Sequence, residues 1–205
     1  MGRRLPESEF RGHPWRIHQF IDGFEVEDVW AVGARERAAD FPRLVDLFAS
    51  VNTEEAASPV VRFLFAARWK IGEWLGWDDP STGVGARVPS LRDQLPASLR
   101  DTVDLNRFAA LPFTPLFELP DEFAAETANK TMHGILHLGA VPVGGDEVMV
   151  RLTVLVKTNG LFGKSYMAFI KPFRYVLVYP ALFRELEGRW ERGAADRASA
   201  AERDV

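Results

Sequence analysis

The stretch LFGKSYMAFIKPFRYVLVYPALFRELEGRW, residues 161–190, decides the fold. Stepped at about 100° per residue, Phe162, Tyr166, Phe169, Ile170, Phe173, Val176, Leu177 and Pro180 fall on one side. Lys164, Lys171, Arg174 and Ala181 fall on the other. The pattern predicts a long amphipathic helix with an aromatic stripe. Asn159 is suited to cap it, because its side-chain oxygen can accept from a first-turn N–H. Pro172 and Pro180 each remove an i→i−4 hydrogen bond, so a bend is expected near one of them. After Pro180 the apolar set moves to Phe183, Leu186 and Trp190. A membrane-spanning helix needs about 20 mostly uncharged residues, and Lys164, Lys171 and Arg174 interrupt this one. The expectation is a helix packed on a sheet, with an interfacial helix as the weaker alternative and no transmembrane span.

The sheet is legible just upstream. In EVMVRLTVLVK (147–157), Val148, Val150, Leu152, Val154 and Val156 share one face, and Met149, Arg151, Thr153 and Lys157 the other. That reads as one dry face and one mostly wet face. Residues 113–119 (FTPLFEL) read as an edge strand, since Pro115 cannot donate to a ladder. Residues 123–129 and 130–140 add two strands, and PVGGD (142–146) a hairpin loop. Near the N-terminus, Trp15–Val32 reads as extended and is split by the turn-forming pair Asp22-Gly23. Asp28 intrudes on the apolar face of its second half, which marks a strand end or a bulge. Two helices follow. Asp40 caps Phe41–Val51, with Pro42 in a tolerated first-turn position, and Ser58 caps residues 59–76. In the second of these Trp69 lies on the polar side, to be covered by a neighbouring loop or to meet a partner. Residues 78–112 are rich in Pro, Gly, Ser and charge, and read as a long connection with a helical turn near Leu91–Leu99.

The fold expected from this order is α+β: a curved antiparallel sheet wrapped around the long C-terminal helix, with two shorter helices after the first strand. A flexible N-terminus (1–13), a single domain (14–190) and a polar tail (191–205) are the expected divisions. At 205 residues the chain can bury a substantial core. Its net charge of −4 and lack of a basic stripe give nucleic-acid binding no electrostatic footprint. The absence of cysteine excludes disulfides and thiolate chemistry, and a cytoplasmic location is expected. No apolar run follows the two N-terminal arginines, so no secretory signal is read there.

SPVVRFLFAARWKIGEWLGWD (58–78) resembles the helix-then-LGW segment of domain of unknown function 2867, an uncharacterised bacterial family. TVLVKTNGLFGKSYMAFIKPFRYVLVYPALFREL (153–186) resembles that family's C-terminal signature: a strand, a glycine, a PF pair followed by a basic residue, and a closing apolar helix. The match covers about residues 24–76 and 113–187. The resemblance implies a helix-grip fold like that of START and polyketide-cyclase relatives (the SRPBCC-like arrangement), with a cavity between sheet and helix. It supplies no catalytic residues. The 78–112 connection and the N-terminal strand depart from the pattern. Some relatives carry the domain beside a dinucleotide-binding half, which this chain lacks.

No catalytic set emerges. There is no GxSxG, so neither Ser81 nor Ser165 reads as a nucleophile, and HExxH is absent. GVGARVPS is not a phosphate loop. On a strand, His133 and His137 share a face about 13 Å apart, too far to hold one metal between them. Their face is the less apolar one, so they read as satisfied or exposed structural histidines. Glu126, with Thr127 and Asn129, could place a carboxylate near a cavity, where burial would raise its pKa. The plainer reading is an outer-face glutamate between Ala124 and Ala128. Lys171-Pro172-Phe173-Arg174 reads as a solvated basic turn. Tyr166 is the one polar group on the inward helix face.

The expected site is therefore a cavity lined by Phe117, Met132, Leu136, Val150, Val154, Tyr166, Phe169 and Phe173, holding a small apolar or amphipathic molecule without a metal or cofactor. The alternatives are a cyclase- or dehydratase-like enzyme using a polar group in that cavity, and a protein-interaction module built on Trp69 and the 78–112 loop. A homodimer is compatible with the sequence.

Overall fold

The computed structural model describes residues 2–49, 83–85, 88–105, 113–160, 175, 179, 180, 182–184, 186–190 and 192. Among them is one antiparallel sheet of six strands: β1 (Arg3–Arg4), β2 (Glu25–Arg37), β3 (Thr114–Glu118), β4 (Glu122–Ala128), β5 (Met132–Gly144) and β6 (Glu147–Thr158). Their spatial order is β1-β2-β6-β5-β4-β3. The helical elements are α1 (Ser8–Arg11), α2 (Phe41–Ala49), α3 (Ala97–Arg100) and short 3-10 turns at Arg16–Gln19, Ala38–Asp40 and Leu91–Gln94. The predicted helix over 59–76, with Trp69, lies outside the described residues.

The β5–β6 hairpin is the spine of the sheet, paired from Met132↔Thr158 to Gly144↔Glu147. Its turn needs Gly144 and Gly145 at φ 137° and 60°, where a Cβ would be strained. Among the described residues β3 is an edge strand, as expected from Pro115, and it carries a bulge between Pro115 and Phe117. Its outer carbonyls are not left open. Arg92 donates through Nη1 to the Pro115 and Leu116 carbonyls and through Nη2 to that of Arg100. A covered edge cannot template pairing with another chain.

Directly opposed residues on neighbouring strands share a face. One face carries Trp30 and Val32 of β2, Val150 and Leu152 of β6, Leu138 and Ala140 of β5, and Phe123 and Ala125 of β4. It packs under Phe41, Leu44, Val45 and Phe48 of α2, and under Tyr179, Phe183 and Leu186 from the C-terminal helical residues. The shifted stripe read from Phe183 and Leu186 therefore does meet the sheet.

The second face differs from expectation. The strand pattern predicts it mostly wet, yet His137, Glu126 and Thr153 on it are all 0% exposed. Two stretches without helical or strand periodicity form a layer over it. The N-terminal segment supplies Leu5, Phe10, Trp15, Ile17 and Phe24, and the 88–105 segment supplies Leu91 and Leu95. Phe10 and Ile17 are the main anchors, at 1% and 0% exposure. Burying such a side chain fully is worth about 1.5–3 kcal/mol. Residues 2–13, read from sequence as loose, thus include β1 and the helical turn α1. Arg16–Gln19 is a 3-10 turn rather than part of an extended run, while the Asp22-Gly23 turn forms with Gly23 at φ 77°. The Trp15 ring lies over Gly139: a Cβ there would come within 2.4 Å of it.

Candidate functional site

The first face is sealed unevenly. Val150, Leu152, Leu138 and Ala140 are at most 3% exposed. Toward the far end of the hairpin, the opposed pair Leu136 and Val154, and Met132 beyond it, remain only partly buried. The row continues across β2 to Asp28, which is opposite Val154. Of the two readings of Asp28, a strand end or a bulge, the register shift between Val26 and Asp28 shows the bulge. It puts a carboxylate, 2% exposed, into an apolar face.

A buried carboxylate needs strong partners. Tyr179 Oη donates to Asp28 Oδ2 at 2.6 Å. Trp30, two residues along on the same face, has its ring 4.9 Å from that of Tyr179 and 6.1 Å from that of Tyr175. The Trp30 Nε1–H is buried and has no partner among the described residues. The Arg4 guanidinium caps the Tyr175 ring at 4.7 Å, so β1 closes this flank of the site. A half-covered apolar strip, Met132–Leu136–Val154, thus runs up to a polar corner made by Asp28, Tyr179 and Trp30.

The residues predicted to line one cavity are divided by these positions. Leu136, Val154 and Met132 are together at the partly open end. Val150 shares their face but is 1% exposed within the sealed core. Phe117 is fully buried on the opposite face, with Leu116 and Ala124. The bulge after Pro115 puts it there, opposite Ala124 rather than in phase with Pro115 and Ala125. Tyr166, Phe169, Phe173 and the Lys171–Arg174 turn lie outside the described residues. Asn159 donates its side-chain N–H groups to the Asn129 and Lys130 carbonyls, tying β6 to the β4–β5 turn.

The second face holds the densest polar chemistry. Glu122 and Glu126 of β4 sit opposite Gly139 and Ile135, so each lies diagonally from a histidine of β5. His137 Nε2 bonds Glu122 Oε1 at 3.2 Å, and His133 Nε2 bonds Glu126 Oε2 at 2.8 Å. Each glutamate also takes two donors from the covering layer. Glu122 accepts from the N–H groups of Arg16 (2.7 Å) and Ile17 (2.9 Å). Glu126 accepts from Ser90 Oγ and from the Leu91 N–H at 3.1 Å.

Burial alone would push both carboxyls up. For Glu122 the bonds from His137, Ile17 and Arg16 outweigh it, and for Glu126 those from His133, Ser90 and Leu91. Both are held below the ordinary carboxylate range. An ionised carboxylate only accepts, so the histidine Nε2 atoms carry the donated protons. Both histidines are thus satisfied at Nε2, on the face away from the C-terminal helical residues. Glu126 is the correction: it is wholly buried beneath Ser90 and Leu91 rather than solvated. Thr127 points to the other face, and Asn129 Oδ1 accepts from Thr131 and Met132 in the β4–β5 turn, so the three do not form a site. Among the described residues no group of three His, Asp or Glu side chains is placed to hold a metal.

Asp28 was legible as an oddity in an apolar pattern. Its partner Tyr179 was not singled out, although it stands four residues before Phe183 and seven before Leu186, in phase with the shifted stripe. The Glu–His diagonals also had a signal. Glu122 and Glu126 share the four-residue spacing of His133 and His137, on two strands joined by one short turn.

The fold and site define an α+β protein built on one antiparallel sheet, with a covered layer on each face and a polar corner at the open end of one. The chain matches the family described as "Protein of unknown function (DUF2867)" over residues 20–181, and it belongs to that family. No curated protein matches it, and no solved structure does.

Proposed function

We propose that this protein binds a small amphipathic molecule between the sheet and the C-terminal helix. One observation carries the reading: the partly buried Leu136–Val154 pair adjoins the buried Asp28–Tyr179 pair in a single cross-strand row. An apolar strip ending in a few convergent polar groups is how small-molecule sites are commonly built. The apolar part of the ligand would lie along Met132, Leu136 and Val154, with Tyr166, Phe169 and Phe173 facing it from the helix. Its polar end would meet Asp28 and the Trp30 N–H, which has no partner among the described residues. The helix-grip arrangement is part of this proposal, supported by Tyr179, Phe183 and Leu186 packing on the same sheet face. A cysteine-free chain suits a reducing compartment, so a cytoplasmic location goes with it. Among the described residues no helix is long and apolar enough to cross a membrane.

A dansyl-labelled medium-chain fatty acid serves as the probe. It should bind saturably, and Val154→Trp, which fills the strip, should weaken binding by about tenfold or more, a change of about 1.4 kcal/mol. Phe117→Leu, on the opposite face, should leave affinity unchanged. Failure to saturate, or binding indifferent to Val154→Trp, would contradict the reading.

Asp28 favours one second reading, a cyclase- or dehydratase-like enzyme. It is an ionisable group on the inward face, hydrogen-bonded to a phenol that could relay a proton. Turnover lost in Asp28→Asn with binding retained would separate catalyst from carrier. The interaction-module reading rests on Trp69 and on a loop only partly among the described residues.

A further inference from the structure

We propose that the N-terminal segment over residues 5–20 is a proton-controlled cover, which lifts off the sheet when His13 and His18 take up protons. All four histidines of the chain lie in the layer between this segment or its neighbours and the second sheet face. Two of them are on the cover itself. The His13 ring stacks on Trp15 at 3.8 Å, and the His18 ring meets the edge of Phe10 at 4.7 Å. Phe10 and Trp15 in turn touch His137 at 5.3 and 5.0 Å. The rings of the cover are thus packed on apolar anchors on one side, while both side chains stay half-buried.

A protonated imidazole is a donor at both nitrogens, and each needs an acceptor. His13 Nδ1 and His18 Nε2 are buried and have no partner among the described residues. Asp121 and Glu122 favour protonation of His13, and Glu122 that of His18, but neither hydrogen-bonds these nitrogens. His13 faces Arg151, Asp121, Glu122 and His137, and His18 faces His137, Glu122, Arg11 and His13. Glu122 is already engaged by Arg16, Ile17 and His137. Glu9 is engaged by Arg151, and Glu7 by Arg11. Burial, the largest influence on both groups, holds them below their ordinary 6.5, and for His13 the Arg151 charge, for His18 the neighbouring His137, adds to it. The seated cover therefore binds fewer protons than the lifted one as pH falls through 6.5, and acid favours lifting.

The cover is the part that yields because its main chain makes few ladder bonds, its hold resting largely on the buried side chains of Leu5, Phe10, Trp15 and Ile17. It has the two-residue β1 pairing, the Leu5 N–H on the Val29 carbonyl, the Arg151–Glu9 pair and the Glu122 clamp. β2, β5 and β6 share long continuous ladders. Segments with few ladder bonds open below the global transition. Lifting would uncover His137, Gly139 and Thr153.

Hydrogen exchange of the full chain at pH 7.5 and 5.5, corrected for intrinsic rates, tests this. Amides of residues 10–20, including Arg16 and Ile17, should lose about tenfold or more in protection at the lower pH, while those of β5 and β6 keep theirs. The His13→Gln/His18→Gln double variant should hold its protection at both values. Protection that is unchanged, that falls equally in β5 and β6, or that still falls in the double variant would overturn the proposal. If the double variant does not fold, histidine ring resonances of the wild type decide it. Both rings titrating below 6.5 supports the cover, and either titrating at or above 6.5 overturns it.

Discussion

Replacing Glu126 with alanine should destabilise the protein by about 3–5 kcal/mol at pH 7, because three buried donors lose one ionised acceptor. The carboxylate is 0% exposed and satisfies three donors: His133 Nε2, Ser90 Oγ and the Leu91 N–H. Without it His133 is left buried beside Phe24, and the segment that starts at Ser90 loses its attachment to β4. Each orphaned donor costs about 1–3 kcal/mol, and the three share one cavity, so their sum is an upper bound. The assay is urea unfolding, with wild type, Glu126→Ala, His133→Ala and the double variant in a cycle. The double variant should cost clearly less than the sum of the singles, because each single strands the other residue. Glu126→Met with His133→Leu should cost less than Glu126→Ala, since it removes the stranded histidine and leaves only Ser90 and Leu91 without their acceptor. A Glu126→Ala loss under about 1 kcal/mol, or an additive cycle, would show that Glu126 does not hold these donors.

Further outcomes follow from the same contacts. Gly139→Ala should cost about 1–3 kcal/mol in urea unfolding, because the new methyl would sit 2.4 Å from the Trp15 ring and displace it. Gly23→Ala should cost about 1–2 kcal/mol, since φ 77° strains an L side chain and Lys157 Nζ lies 2.9 Å from the added carbon. Tyr179→Phe should lower stability by about 1–3 kcal/mol, since it takes from buried Asp28 its 2.6 Å donor. Global stability should fall with acid below about pH 4.5. Glu122 and Glu126 have folded values below their ordinary 4.5, so their contribution is complete above it and is lost as pH falls through the depressed values. In Glu122→Gln/Glu126→Gln the slope over that range should flatten.

The strands from 113 to 157 were readable because period-2 alternation and turn residues are local signals. So were the irregularity at Asp28, open as a strand end or a bulge, and the edge position of Pro115. The same locality explains what was missed. Alternation sorts Glu122, Glu126, His133 and His137 onto one face. It does not say that residues as distant as Phe10 and Leu91 return to cover that face. The cover has no regular period because its main chain is held by carboxylates, Glu122 on Arg16 and Ile17 and Glu126 on Leu91, rather than by a ladder. Phe117 was assigned to the wrong company for a related reason. One bulged residue after Pro115 inverts the facing of the rest of β3.

The proposed ligand strip runs from Met132 to Val154, with Asp28 at its head. Native mass spectrometry of the protein purified from its own host tests it most directly. A discrete adduct of small-molecule mass is expected, absent from the folded Val154→Trp variant. A wild-type spectrum without an adduct, or an adduct that survives Val154→Trp, would contradict it.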